Sequence, residues 1–216
     1  MQWPISRLAR HLGSFTAVLI MAFGLAPASR AGTEMQEFMV PSSDPGIRLY
    51  VRNKHPSGTE TFSSDRVLIY VHGATYPSEA MFDLPVAGAS MMDVLAAHGW
   101  DVWLLDVRGY GRSTRPPEMD KPAADNKPVV DTATAAGDVG SVVDFVMSRR
   151  HVEKVNLMGW SWGTTIMGLY TSTHNANVAR LVLYAPQWLS KNKVLRTRHG
   201  WTPIARLRGM RHRLAG

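Results

Sequence analysis

The sequence contains no cysteine, which excludes disulfide bonds and lipid attachment at a cysteine. It also lacks an internal repeat, a low-complexity tract, a metal-ligand spacing and a glycine-rich phosphate-binding loop. We therefore expect neither a metal ion nor any other cofactor. Of the 216 residues, 45% are hydrophobic, which suffices for one domain with a sizeable core and argues against disorder.

Acidic residues are missing from the last part of the chain, because none follows Glu153. The net charge of +7 belongs to the two ends: residues 1–31 carry three arginines, residues 189–216 carry eight basic side chains, and neither segment has an acid. Residues 32–188 hold 13 basic and 17 acidic side chains, so this central part is acidic. An acidic body argues against a nucleic-acid partner.

The N-terminal apolar run, residues 15–26, is only 12 residues long, too short to span a bilayer comfortably. Arg7 and Arg10 precede it, and the small residues of 26–31 follow it. This pattern predicts a secretory signal peptide over residues 1–31. The segment has no arginine pair for twin-arginine export. We expect a periplasmic or secreted protein, with a retained N-terminal membrane anchor as the alternative.

Short apolar runs alternate with helix-like segments through the central part of the chain. Continuous apolar runs such as 66–73 are typical of strands buried on both faces, whereas apolar residues at helical spacing indicate helices. This alternation predicts an α/β protein with a mostly parallel sheet covered by helices on both faces. The predicted strands are 35–40, 47–55, 66–73, 100–107, 154–159 and 179–186; the predicted helices are 90–99, 132–150 and 161–173, and 112–128 is a proline-rich loop.

The pentapeptide GWSWG, residues 159–163, lies between a predicted strand and a predicted helix. G-x-S-x-G in that setting is a nucleophile elbow, a tight turn that lifts the serine hydroxyl above the edge of the sheet. The two glycines leave room where the strand and helix backbones nearly touch. The pattern therefore predicts Ser161 as a nucleophile, and the alternative is a structural serine in a glycine-rich turn.

Two further motifs occur at the ends of neighbouring strands: VHGAT at 71–75 and DVRGYGRS at 106–113. Together with GWSWG, in this order and spacing, they resemble the α/β-hydrolase family over residues 35–188. The resemblance implies hydrolysis of an ester, amide or related acyl bond of a small-molecule substrate through an acyl-enzyme, a carboxylic ester being the expected class. It also implies that the backbone N–H groups of Ala74 and Trp162 form the oxyanion hole. We expect Asp106 and Arg108 to brace their turn and His72 to be structural.

The chain departs from the family where the other two members of a catalytic triad should follow. In the family the order is serine, acid, histidine, but no acidic residue follows Glu153. His174 lies 13 residues along the predicted helix from Ser161, too far to reach the hydroxyl. His199 and His212 belong to the basic segment, with no strand pattern before either. We therefore expect the acid and the base to be missing and the activity to be impaired. A substitute triad of Asp106 with His199 is the alternative.

These patterns divide the chain into a signal peptide (1–31), the first two-thirds of an α/β-hydrolase domain (32–188) and a basic tail (189–216). The tail has no sheet-forming run, which favours a truncated or frame-shifted hydrolase. The alternative is a genuine tail whose poorly amphipathic helix contacts anionic membrane or partner surfaces weakly. On that hypothesis the protein is hydrolase-like but non-catalytic. The sequence predicts no oligomeric state.

Overall fold

A six-stranded sheet forms the centre of the part that the computed structural model describes, residues 32–125 and 127–186. Its order is β1-β2-β4-β3-β5-β6; β1 and β2 are antiparallel to their neighbours, and the other four strands are mutually parallel. The predicted α/β class with a mostly parallel sheet is confirmed. The strands are β1 Thr33–Pro41, β2 Arg48–Pro56, β3 Val67–Val71, β4 Asp101–Leu105, β5 Val155–Trp160 and β6 Val178–Tyr184.

Helices cover both faces of this sheet because the inner strands are apolar on both sides. Side chains alternate along a strand, so Ile69 of β3 packs in one apolar cluster and Tyr70 packs in the other. The larger cluster lies under the third and fourth helices, and the smaller one lies under the first two. The α-helices of the described residues are α1 Ser78–Phe82, α2 Met91–Ala97, α3 Thr132–Arg150 and α4 Trp162–Thr173.

The structure contains short helical elements that the hydrophobic periodicity of the sequence did not predict. Helix α1 was not predicted, because five residues are too few for an apolar period to show. The predicted loop 112–128 contains two short 3₁₀ turns, Pro117–Asp120 and Ala123–Asp125. The start of α2 was predicted correctly: Ser90 and Asp93 form a reciprocal capping box.

Strand β6 borders the sheet within the described residues. Val182, Leu183 and Tyr184 of this strand are 46%, 48% and 60% exposed. None of the helices in the described ranges is long and apolar enough to cross a bilayer. The predicted signal peptide (1–31), the predicted tail (189–216) and the histidines of both segments lie outside the described residues.

Candidate active site

Ser161 occupies a strained turn between β5 and α4. Its backbone has φ 53° and ψ −117°, in the positive-φ region that side-chain-bearing residues rarely adopt. The Ser161 N–H donates to the carbonyl of Tyr184 at the end of β6, over 3.0 Å. The Ser161 carbonyl accepts from the Thr164 N–H at 3.0 Å and from the Thr164 hydroxyl at 2.6 Å. Backbone bonds on both sides therefore hold the turn in its strained conformation.

Two glycines allow this turn to close. A Cβ on Gly159 would lie 2.7 Å from the Thr164 nitrogen and closer still to the Gly163 carbonyl. A Cβ on Gly163 would lie 2.6 Å from the carbonyl oxygens of Val71 and His72. All of these neighbours are backbone atoms, which a side-chain rotation cannot move away. The first glycine of G-x-S-x-G thus lies where β5 contacts the start of α4, and the second lies where α4 contacts the end of β3. Neither contact leaves room for a side chain.

The loop after β3 lies against the serine. A Cβ on Gly73 would lie 3.1 Å from the Cβ of Ser161, so this loop and the elbow are in direct contact. Ala74 follows and is exposed, and Trp162 is the first residue of α4. Within residues 32–125 and 127–186, neither the Ala74 N–H nor the Trp162 N–H donates a hydrogen bond. The helix N-terminus adds a partial positive charge beside them, which favours an anion.

His72 is buried beneath this loop, and both of its ring nitrogens are engaged. The Val107 N–H donates to Nε2 at 3.2 Å, so Nε2 must be the acceptor and the proton must sit on Nδ1. Nδ1 then donates to the Gly73 carbonyl at 2.6 Å. Burial lowers the pKa of His72 to about 4. A neutral ring with no free nitrogen cannot serve as the base for Ser161, in agreement with the structural role expected for it.

Acid should destabilise the folded chain through His72. The unfolded ring takes up its proton near pH 6.5, but the folded ring stays neutral until its pKa of about 4, so stability is lost as the pH falls through that window. The loss should approach about 3 kcal/mol. Urea unfolding across the window should show this slope in the parent and in a variant of the exposed His98, His98→Gln. The dependence of the free energy of unfolding on pH should be much weaker in His72→Gln. A dependence in His72→Gln equal to that of the parent would contradict this account.

The turn after β4 is braced by two acidic residues. Asp106 accepts the Ser78 N–H at 2.8 Å and the Arg112 N–H at 3.3 Å, and burial raises its pKa. Arg108 is paired with Asp138 of α3, which is fully buried, at 2.6 Å. The bracing roles expected for Asp106 and Arg108 are confirmed. The partner Asp138 was missed, because 30 residues separate it from Arg108 and no local pattern links the two.

The described residues place no second histidine at the edge of the sheet where Ser161 lies. His55 lies on antiparallel β2 near the amino end of β4, while His98, His151 and His174 end α2, α3 and α4 just before the next strand begins. All four therefore lie towards the opposite edge. Helix α4 alone separates His174 from Ser161 by roughly 18 Å. The candidates His199 and His212 lie outside the described residues.

The two tryptophans beside Ser161 pack on opposite faces of the sheet. Trp162 borders the larger apolar cluster, and its Nε1 donates to the Thr132 hydroxyl at 3.0 Å. Trp160 borders the smaller cluster. Both side chains thus contribute to packing as well as flanking the serine. A separate cleft of about 430 Å³ lies between α3 and α4 and is lined by none of Ser161, Ala74 and Trp162.

Part of this chain is similar in sequence to a known protein. Lipase member N of Mus musculus is 26% identical over 135 residues, which are 62% of this chain and 34% of that protein. The match therefore spans about a third of the relative's length.

Solved structures share the fold at low identity. A CIB-like hydrolase from Thermoplasma acidophilum has a TM-score of 0.52 at 20% identity, covering 75% of this chain and 68% of its own. The thioesterase domain from the curacin biosynthetic pathway has a TM-score of 0.55 at 16% identity, covering 76% and 50%. The model of the α/β-hydrolase fold family matches residues 66–207, more than half of the chain. The chain belongs to the α/β-hydrolase family.

Proposed function

We propose that this protein is a serine hydrolase in which Ser161 attacks an acyl bond. The observation that carries the proposal is Ser161 at φ 53°, on a strand–turn–helix elbow, beside two backbone N–H groups that have no partner among the described residues. The Ser161 hydroxyl would attack the carbonyl carbon and lose its proton to water, because both ring nitrogens of His72 are engaged. The resulting oxyanion would accept hydrogen bonds from the Ala74 and Trp162 N–H groups. Each such donor contributes about 2.7–4 kcal/mol to the transition state.

The tetrahedral adduct would then collapse with cleavage of the bond to the leaving group, which takes up a proton. Water would attack the acyl-enzyme in turn, releasing the carboxylic acid and restoring the Ser161 hydroxyl. The name of the matched relative, Lipase member N, supports a carboxylic ester as the substrate class. The exposed loop at Ala74 leaves the elbow open to a small-molecule substrate. We also propose export, on the signal-peptide pattern of residues 1–31.

No described histidine at this edge of the sheet is free to activate Ser161. The only described histidine at this edge of the sheet, His72, has both ring nitrogens engaged. We propose that Ser161 therefore carries an ordinary hydroxyl in this chain and reacts slowly. Without its triad partners, an oxyanion hole still gives about 10³–10⁴-fold catalysis over water, against a loss near 10⁶.

Covalent labelling with a fluorophosphonate tests the nucleophile. We expect slow labelling of the 216-residue chain and none of the Ser161→Ala variant. Ser172→Ala is the matched control, since Ser172 is an exposed serine on the same helix α4, and it should label like the parent. Thermal unfolding of all three should show that each is folded. Equal labelling of a folded Ser161→Ala variant would reject the assignment.

A further inference from the structure

Tyr110 links the turn after β4 to the loop that carries Ala74. Its hydroxyl donates to the Ala74 carbonyl at 3.0 Å. Its ring lies 4.3 Å from the His72 ring and 6.1 Å from the Trp162 ring, measured between centroids. The side chain therefore touches the exposed loop, the buried histidine below it and the first residue of α4. These contacts join the segments that hold both oxyanion donors.

The Tyr110 contact completes a pair of restraints on Ala74. The Gly73 carbonyl and the Ala74 N–H belong to one planar trans peptide and point in opposite directions. Because His72 holds that carbonyl, the Ala74 N–H must point away from the His72 ring. The next peptide begins with the Ala74 carbonyl, which Tyr110 holds. The peptides on both sides of Ala74 are thus fixed, one by His72 and the other by Tyr110.

Tyr110 is itself well placed to act as a support. Its N–H donates to the Val107 carbonyl at 3.1 Å, and the preceding Gly109 N–H donates to the Thr114 carbonyl at 2.9 Å. The same turn is anchored to α3 through Arg108 and Asp138. Burial raises the pKa of Tyr110, so its hydroxyl keeps the proton that it donates at neutral pH. The restraint on Ala74 therefore comes from a rigid part of the fold.

We propose that Tyr110 is a positioning residue of the oxyanion hole, which acts through the Ala74 carbonyl to hold the Ala74 N–H beside Ser161. That the Ala74 N–H serves as an oxyanion donor rests on the proposed function. That Tyr110 restrains the Ala74 carbonyl does not depend on it. Tyr110 does not touch the reacting atoms. Removing its hydroxyl should free the Ala74–Thr75 peptide while the ring stays on His72. The bond to Ala74 is exposed, so water can replace it and the folded state should lose little.

The Tyr110→Phe variant of the full chain separates positioning from stability. We expect its second-order rate constant for fluorophosphonate labelling of Ser161 to fall about tenfold, part of the 10²–10³ that a whole donor supplies. The midpoint of thermal unfolding should stay close to that of the parent. Tyr170→Phe is the matched control, because Tyr170 lies on α4 and its hydroxyl accepts a hydrogen bond from the Asn177 side-chain amide, away from the elbow. Its labelling rate should equal that of the parent.

Amide relaxation measured by NMR at Ala74 and Thr75 gives a readout that needs no reaction. In the parent we expect order parameters near the rigid value of about 0.85, and in Tyr110→Phe a clear decrease towards about 0.6. Unchanged order parameters, or a labelling rate equal to that of the parent, would overturn the positioning role. A parent chain that never labels at Ser161 would instead reject the proposed function, and the order parameters alone would then decide for or against Tyr110.

Discussion

Gly159→Ala should destabilise the domain by about 3 kcal/mol or more and abolish labelling of Ser161. The new methyl group would lie 2.7 Å from the Thr164 nitrogen and closer still to the Gly163 carbonyl. Both are backbone atoms at the start of α4, so the only relief is to push the helix away from β5. That movement would displace Ser161 and the Trp162 N–H together. Urea unfolding and fluorophosphonate labelling measure the two effects.

Gly168→Ala provides the matched control on the same helix. A Cβ at Gly168 would meet nothing within 4 Å, and the residue lies in the interior of α4. Alanine there should stabilise the chain by about 0.5–1 kcal/mol, because it loses less backbone entropy on folding than glycine does. Labelling should be unchanged. If Gly159→Ala were as stable as the parent, β5 and α4 could not approach as closely as described.

Asp138→Ala should cost about 3–5 kcal/mol, since it leaves a buried cation without its main partner. Asp138 is fully buried on α3, and Arg108 is only 7% exposed. Its carboxylate accepts from the Arg108 guanidinium and from the Arg108 N–H, and it accepts the Ser42 hydroxyl at 3.2 Å. One side chain therefore joins α3, the turn after β4 and the β1–β2 connection. Chemical denaturation measures the loss.

The exposed pair Arg115–Asp120 serves as the control for this effect. Its side chains are 53% and 69% exposed, although the ion pair is 2.8 Å long. Asp120→Ala should change the free energy of unfolding by less than about 1 kcal/mol, because water and salt screen an exposed pair. If Asp120→Ala and Asp138→Ala lowered the free energy of unfolding by similar amounts, burial would not explain how much the Asp138 contact stabilises the fold. Fluorophosphonate labelling should decline in Asp138→Ala, because the turn carrying Tyr110 loses its anchor.

The sequence was sufficient to predict those parts of the fold that depend on local patterns. β-rich and continuous apolar runs located all six described strands, and helical spacing located α3. The predicted helices 90–99 and 161–173 correspond to α2 and α4. Asp106 follows β4, which is two strands away from the nucleophile strand β5 because β3 lies between them. Helix α1 was missed because one and a half turns leave no measurable period.

The sequence motifs predicted the backbone turns of the candidate site. They did not predict the side-chain contacts that hold those turns in place. Glycine spacing pointed to Ser161, and strand order brought the Gly73–Ala74 loop against it. The supports depend on contacts distant in sequence: Tyr110 reaches Ala74 across 36 residues, and Arg108 reaches Asp138 across 30. No periodicity encodes such pairs, because they form only when the folded chain brings distant segments together at one edge of the sheet.

The most direct test of the central claim is to look for the acyl-enzyme itself. The chain would be incubated with p-nitrophenyl butyrate, digested and mapped by peptide mass spectrometry, with Ser161→Ala and Ser172→Ala treated in parallel. Because the described residues place no histidine with a free ring nitrogen at the Ser161 edge of the sheet, deacylation should be slow and the adduct should accumulate. The account predicts a butyryl group on Ser161 in the parent and in Ser172→Ala. Butyryl groups confined to other side chains, at equal levels in the parent and in Ser161→Ala, would contradict it.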